Sequence, residues 1–323
     1  MHTDLQDIQV LIAHEVKALA SYVHHRLQGQ GSLLAQLTNY LFKYKGKELR
    51  PRLVFLTAGA SGGITEKTRR GAALVTLLHH ASLVHDDVVD EAIQRRGVQS
   101  VNARWGNKAA VLLGDYLLSK SLSIAVEHQD HDFLAIMANT AQTMSEGELL
   151  QIAQVHELAT TEATYLEIIY KKTAILIAAC CAIGALSAHA ATKQVDMMYK
   201  LGRQIGMAFQ IQDDLLDYEG TGALGKATGM DIKEKKITLP LLYALQQATE
   251  EDRQRVLYIM RDHNQNPGKV QEVMALVRAS GGIAYAQEKM YNYRTKALKL
   301  LATCLEPSPY KEALADLIHQ TIG

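Results

Sequence analysis

Proline is scarce in this chain, with five in 323 residues and none between Pro51 and Pro240. Nearly two hundred residues thus lack the commonest helix breaker, which argues against a turn-rich β fold and for long helices. Cysteine is scarcer still. Cys180 and Cys181 are adjacent and Cys304 lies far away, a spacing that fits neither a disulfide framework nor a zinc site and that is expected of a reducing cytoplasm. Net charge is absent, because 34 Lys and Arg balance 34 Asp and Glu. No overall field therefore draws the protein to nucleic acid or an anionic membrane, and charged chemistry has to be local. The first residues, Met1-His2-Thr3-Asp4-Leu5-Gln6-Asp7, have neither the basic start nor the apolar core of an export signal. The longest uncharged stretch, Thr173 to Thr192, approaches the length of a membrane span, but it is rich in Ala and diluted with Cys, Gly, Ser, Thr and His. It reads as a buried core helix, so no transmembrane segment is expected.

What is present is helical periodicity. Apolar residues recur at spacings of three and four, as in Leu74, Leu77, Leu78, Ala81, Val84 and Val88, and again in Leu112, Leu113, Tyr116, Leu117 and Ile124. Glycine- and proline-bearing breaks at Gly29-Gln30-Gly31-Ser32, Ser61-Gly62-Gly63, Arg96-Gly97, Gly220-Thr221-Gly222, Asn266-Pro267-Gly268 and Pro307-Ser308-Pro309 read as loops between helices. The intervals predict helices over about 65–91, 107–128, 131–153 and 193–219. The expected architecture is all-α, one large helical bundle forming a single domain over residues 1–323.

Two acidic motifs stand out, Asp86-Asp87-Val88-Val89-Asp90 and Asp213-Asp214-Leu215-Leu216-Asp217. Residues four apart stack on one helix face, so Asp86 with Asp90 and Asp213 with Asp217 each present two carboxylates to the same side. Such pairs repel unless a cation sits between them, and hard oxygen ligands of this kind suit Mg²⁺ completed by substrate phosphates. Either motif alone reads equally as a solvated acidic face. Both, however, follow apolar runs, Ala81-Ser82-Leu83-Val84 and Met207-Ala208-Phe209-Gln210-Ile211, which places them on helices with much buried surface.

A metal-held diphosphate leaves any second diphosphate in need of its own cations. Three basic clusters offer them: Gly46-Lys47-Glu48-Leu49-Arg50-Pro51, Arg95-Arg96-Gly97, and Lys226 with Lys236 beyond the second motif. Taken one at a time, each reads as an ordinary surface group. In chain order, the runs GKELRP, LLHHASLVHDDVVD, RRG, Gly114-Asp115, EGELLQ, KKTA, FQIQDDLLD, LGK and TLPLLYAL resemble the trans-polyprenyl diphosphate synthases, especially those that make long chains. The resemblance covers roughly residues 44–245. It implies the all-α isoprenoid synthase bundle around a central cavity, a homodimer, and two aspartate motifs facing each other.

The resemblance also assigns roles. Lys47, Arg50, His79 and Arg96 would hold isopentenyl diphosphate. Arg95, Lys172 and Lys236 would hold the allylic diphosphate, farnesyl or geranylgeranyl, with Mg²⁺, three ions when substrate is bound, on Asp86, Asp90 and Asp213. Asp87 and Asp217 would support these metal ligands, and Lys226 would reach the leaving diphosphate. Thr173 and Gln210 would set dipoles beside the allylic cation, an electrostatic role. Lys172 is chosen over Lys171 and Lys236 over Lys235. Without the resemblance, His79 on an apolar helix reads as a core residue.

Product length is expected to follow the residues one turn before Asp86. Ala81 and Ser82 are small, whereas by the same resemblance short-chain synthases place a large aromatic there, so a long product, a quinone side chain of six to nine isoprene units, is expected. The bland reading of Ala81 and Ser82 is close packing. A shorter-chain synthase is the alternative within the family. From another class, an all-α metal-dependent phosphohydrolase would use His79, His80 and His85-Asp86 as ligands with water as nucleophile, but it leaves the second acidic motif and GKELRP without a role. A terpene cyclase would be expected to mix Asn, Ser or Thr into its second motif, and a non-catalytic subunit would tend to lose one motif; this chain keeps both.

Overall fold

The computed structural model describes residues 5–27, 32–43, 46, 48–158, 160–219 and 228–323. In chain order the elements are α1 (Leu5–Leu27), α2 (Ser32–Lys43), α3 (Leu49–Ser61), α4 (Glu66–Val89), β1 (Gln94–Arg95), β2 (Val98–Gln99), α5 (Val101–Trp105), α6 (Asn107–Glu127), α7 (His131–Glu157), α8 (Glu162–Ile169), a π-helical turn (Tyr170–Ala174), α9 (Ile175–Ser187), α10 (Thr192–Glu219), α11 (Met230–Lys233), α12 (Leu239–Gln247), α13 (Glu250–Asp262), α14 (Pro267–Ala279), α15 (Gly282–Cys304) and α16 (Pro309–Thr321). Two compact units are distinguished. The first comprises Met1–Ala141, Leu176–Tyr199 and Thr303–Leu317; the second comprises Gln142–Ile175, Lys200–Ala302 and Ile318–Gly323.

In the first unit α4 is the central helix. Thr65 caps it: its hydroxyl accepts from the Thr68 backbone N–H while the Thr68 hydroxyl accepts from that of Thr65, so two of the orphan donors at the helix start are satisfied. The Thr68 hydroxyl also pairs with the Ser187 hydroxyl at 2.7 Å. Leu74, Val75 and Leu77 lose all solvent contact, each contributing about 1.5–3 kcal/mol of burial. Helices α1, α3, α5 and α6 pack around α4. The core of this unit includes α9 from Leu176, where Leu176 to Ile183 are at most 2% exposed. The uncharged stretch is therefore core, as its composition indicates: of the apolar window within Glu162–Ser187, 78% is buried, against 39% of that in α6.

The second unit carries the π turn, α8 and α11 to α14. Helix α14 packs against α11, α12 and α13, and α12 also meets α8. Pro240 in the first turn of α12 costs no hydrogen bond, since donors there have no partner within the helix. The only strands among the described residues are β1 and β2, an antiparallel hairpin with Arg95 opposite Val98.

Candidate active site

The first acidic motif closes α4. Asp86 and Asp90 stack one turn apart, with the Asp90 N–H donating to the Asp86 carbonyl at 2.8 Å; Asp86 is half-buried and Asp90 exposed. Asp87, one residue further round the helix, turns inward and is 3% exposed. Both of its oxygens accept from Arg95 Nε, at 2.7 and 2.9 Å, and Arg95 Nη2 lies 2.7 Å from Oδ1. The helix end is stapled by Asn102, whose Nδ2 donates to the carbonyls of Asp87 and Ala92 at 3.0 and 3.1 Å. The Asp87 carbonyl also accepts from the Ala92 N–H at 2.9 Å, and the Ala92 carbonyl from the Ser100 hydroxyl at 2.5 Å, so the chain leaving α4 is tied down at several points.

The hairpin sets the next two groups. Its two-residue turn is Arg96-Gly97, with φ of 54° and 77°, the left-handed pair that matches the strand twist. A left-handed arginine is strained by about 1–3 kcal/mol, a strain typical of functional sites. Arg95 leaves the hairpin toward Asp87, while the Arg96 guanidinium lies so close over Gly46 that a Cβ there would meet its Nη2 at 2.5 Å.

Arg50, near the start of α3, donates from Nη1 to His79 Nε2 at 3.0 Å. Arginine has no acceptor, so Nε2 carries the lone pair and the His79 proton resides on Nδ1. Burial, then the Arg50 charge, hold the imidazole well below its usual pKa, and it is neutral at pH 7. Burial lowers the Arg50 pKa, and the Arg96 charge lowers it further. Arg96 is lowered by burial and then by Arg95. Arg50 Nε is buried with no hydrogen-bond partner among the described residues. A cluster of mutually repelling cations with a buried donor left over is suited to binding an anion. The neighbouring His80 instead lies against Phe42, ring centroids 4.5 Å apart and planes tilted by 30°, with Nδ1 on the Thr76 carbonyl at 2.7 Å, and burial pushes its pKa down to about 4. Lys47 lies outside the described residues.

In the second unit two glycines press on the π turn. A Cβ on Gly206 of α10 would meet Ala174 Cα at 2.4 Å, and one on Gly147 of α7 would meet the Lys171 Cβ at 2.7 Å. Only glycine permits these approaches. The turn, closed by the Ile175 N–H on the Tyr170 carbonyl, inserts one residue into the helical course, as π turns at functional sites do. One turn beyond Gly206 on α10, Gln210 Oε1 accepts from the Thr173 hydroxyl at 2.6 Å. Lys172 reaches Glu148 Oε1 at 2.7 Å and Gln151 Oε1 at 2.9 Å; Lys171 is held by Glu167 at 3.0 Å and Glu146 at 3.4 Å.

The second acidic motif repeats the division of labour seen in the first. Asp213 is exposed. Asp214 is 7% exposed and accepts from the Tyr165 hydroxyl at 2.6 Å and from Gln210 Nε2 at 2.9 Å. Burial pushes its pKa up to about 7 against those two hydrogen bonds. Asp217 accepts the backbone N–H groups of Met230 and Asp231, each at 3.0 Å, and so anchors the N-terminus of α11. Lys235 is tied to the Arg261 carbonyl at 2.8 Å, whereas Lys236 pairs with Glu234 at 2.5 Å and its charge acts on both Asp214 and Asp231. Lys226 lies outside the described residues.

The fold thus gathers Arg50, His79 and Arg96 into one cluster and links Thr173 to Gln210. Asp87, expected in support of the metal ligands, has both oxygens on Arg95, and Arg95, expected at the allylic diphosphate, is on Asp87. Ala81 is buried, and the Ser82 hydroxyl bonds the His79 carbonyl at 2.9 Å. Sequence reasoning passed over Tyr165, Asp214, Glu148 and Gln151. The signal for Asp214 was its spacing of four from Gln210; Tyr165 had none. Among the described residues no three or more His, Cys, Asp or Glu converge on one point. The half-buried Asp86 with the exposed Asp90, and the exposed Asp213, fit Mg²⁺, which takes one or two carboxylates and completes its shell with water and phosphate, whereas both oxygens of Asp217 are engaged by backbone N–H groups.

Comparison with known proteins agrees. The family model described as Polyprenyl synthetase matches residues 31–277. The octaprenyl diphosphate synthase of Escherichia coli is 33% identical over 317 residues, 98% of each chain. The structure of a decaprenyl diphosphate synthase from Rhodobacter capsulatus superposes with a TM-score of 0.92 at 34% identity, covering 98% of this chain and 97% of the other. That of a polyprenyl synthase from Caulobacter crescentus, complexed with calcium and isoprenyl diphosphate, does so with a TM-score of 0.92 at 31% identity over 100% and 98%.

Proposed function

This chain belongs to the polyprenyl synthetase family, has its all-α fold and is a prenyltransferase, and on that premise we propose that it extends farnesyl or geranylgeranyl diphosphate with isopentenyl diphosphate to a long all-trans product, a quinone side-chain precursor. The observation that carries the proposal is the Arg50–His79–Arg96 cluster, with a buried Arg50 Nε that has no partner among the described residues, a built site for the diphosphate of isopentenyl diphosphate. Asp86, Asp90 and Asp213 would hold Mg²⁺, which when bound neutralises the departing allylic diphosphate. Thr173 and Gln210 direct oxygen dipoles at the allylic cation as its C–O bond breaks. C4 of isopentenyl diphosphate attacks that cation, and the proton lost from its C2 passes to the released diphosphate. The apolar helix faces exclude the water that would otherwise capture the cation.

The long product is supported by the small residues Ala81 and Ser82 one turn before Asp86 and by the products named for the octaprenyl and decaprenyl relatives. The outward face of α6 exposes Val111, Leu112 and Val126, at 40%, 68% and 55%, an apolar surface fit for a second copy in a homodimer. A cytoplasmic site of action accords with the free thiols of Cys180, Cys181 and Cys304. The purified protein, given Mg²⁺, labelled isopentenyl diphosphate and either primer, should release products of six to nine isoprene units, and none after chelation or in Asp86→Ala. Absence of condensation with the wild-type protein would refute the proposal, and sedimentation reads the oligomeric state.

A further inference from the structure

The second unit contains a directional series of hydrogen bonds of which the reaction uses only one end. The Tyr165 hydroxyl donates to Asp214 Oδ2 at 2.6 Å, Gln210 Nε2 donates to Asp214 Oδ1 at 2.9 Å, and the Thr173 hydroxyl donates to Gln210 Oε1 at 2.6 Å. Each link constrains the next. With Asp214 ionised, both of its oxygens only accept, so the side of Gln210 facing it has to be the NH₂, and the carbonyl then faces Thr173. Reversing the amide would set oxygen against oxygen at Asp214 and aim the positive NH₂ end at Thr173.

We propose that Tyr165 is a positioning residue for prenyl transfer: by fixing the Asp214 carboxylate it fixes which way round the Gln210 amide sits, so that oxygen is presented beside Thr173. The proposal rests on the reading that Thr173 and Gln210 flank the allylic cation, where an oxygen aids ionisation and an NH₂ group opposes it. Asp214 is 7% exposed and Tyr165 4%, so neither has bulk water as an alternative partner. With the hydroxyl gone, Oδ2 loses its donor and the carboxylate is free to turn toward Lys236, whose charge acts on it; that turn withdraws Oδ1, the acceptor that holds the Gln210 NH₂ in place.

The test is a double-mutant cycle on steady-state kinetics, with melting temperatures measured alongside: Tyr165→Phe, Gln210→Ala and the two combined. Tyr165→Phe should lower kcat about tenfold with KM for both diphosphates within about twofold, and the double variant should be no slower than Gln210→Ala alone, since coupled residues are not additive. Wild-type kcat in Tyr165→Phe, wild-type kcat in Gln210→Ala, or losses that multiply in the double variant would each overturn the proposal. If Tyr165→Phe does not fold, the cycle of Asp214→Asn with Gln210→Ala reads the inner link by the same criteria. Failure of the wild-type protein to make product would instead sink the proposed function.

Discussion

Replacing Gly206 by Ala adds one methyl group where the structure leaves no place for it. The new Cβ would lie 2.4 Å from Ala174 Cα and 2.7 Å from Ala174 Cβ, whereas ordinary contacts begin at 3.4 Å. About 1 Å is missing, and the obstacle is backbone rather than a side chain that can swing aside, so α10 has to retreat from the π turn. The hydrogen bond from Thr173 to Gln210 is 2.6 Å; lengthened by that ångström it exceeds about 3.5 Å and ceases to be one. Overpacking of this size costs about 1–3 kcal/mol, enough to lower Tm by several degrees without unfolding the chain. A 1 Å misplacement of a catalytic dipole costs on the order of a hundredfold in rate. Initial rates of labelled isopentenyl incorporation at saturating substrates, with thermal melts, measure both effects. Gly268→Ala, whose methyl would meet only Asn266 Oδ1 at 3.4 Å, controls for glycine replacement itself. Wild-type kcat in Gly206→Ala would show that the approach of α10 to the π turn does not set the Thr173–Gln210 geometry.

Arg50→Met should raise KM for isopentenyl diphosphate at least a hundredfold while leaving Tm unchanged or higher, because it removes a cation whose burial is unfavourable; a lowered Tm with normal KM would contradict this. Ala81→Phe should shorten the product, read by chromatography after dephosphorylation, and an unchanged length would place the cavity floor elsewhere. His80 titrates near 4 when folded and near 6.5 when unfolded, so below pH 6.5 the unfolded chain binds the extra proton. Stability from this group is complete above pH 6.5 and is lost as pH falls toward 4, by about 3 kcal/mol in full. Melts from pH 7 to 4 should show a shallower decline in His80→Phe, and an identical decline would assign it to other groups.

The long helices were legible because period and breaks agreed: expectations of 65–91, 107–128 and 193–219 meet α4, α6 and α10 within two residues at each end. Helix α7 runs four residues past the expected 153, to Glu157, along the spacing of Leu149, Ile152 and Val155 that the expected end cut short. The π turn was not legible, since Tyr170-Lys171-Lys172-Thr173-Ala174 has no composition that distinguishes five residues per loop from four. The stacked aspartates were read from spacing, but their inner neighbours were not. Asp87 and Asp214 are each one residue past the first carboxylate, about 100° round the helix, which turns them from solvent. That much was derivable, but their partners Arg95 and Tyr165, eight and 49 residues distant, required the tertiary fold.

The hairpin of Arg95 and Arg96 is a fork whose tines are assigned by place, one at the end of the strand and one in the turn. One arginine secures the helix bearing the first acidic motif, and the next leans over the chain before α3. Adding a residue to the two-residue turn would displace Arg96 from its left-handed position and shift Arg95 against Val98, so both anchorages would be disturbed at once, whereas shortening a side chain would disable only one. Length in this stretch is therefore more tightly constrained than identity, and an insertion here should be harsher than any substitution of comparable size.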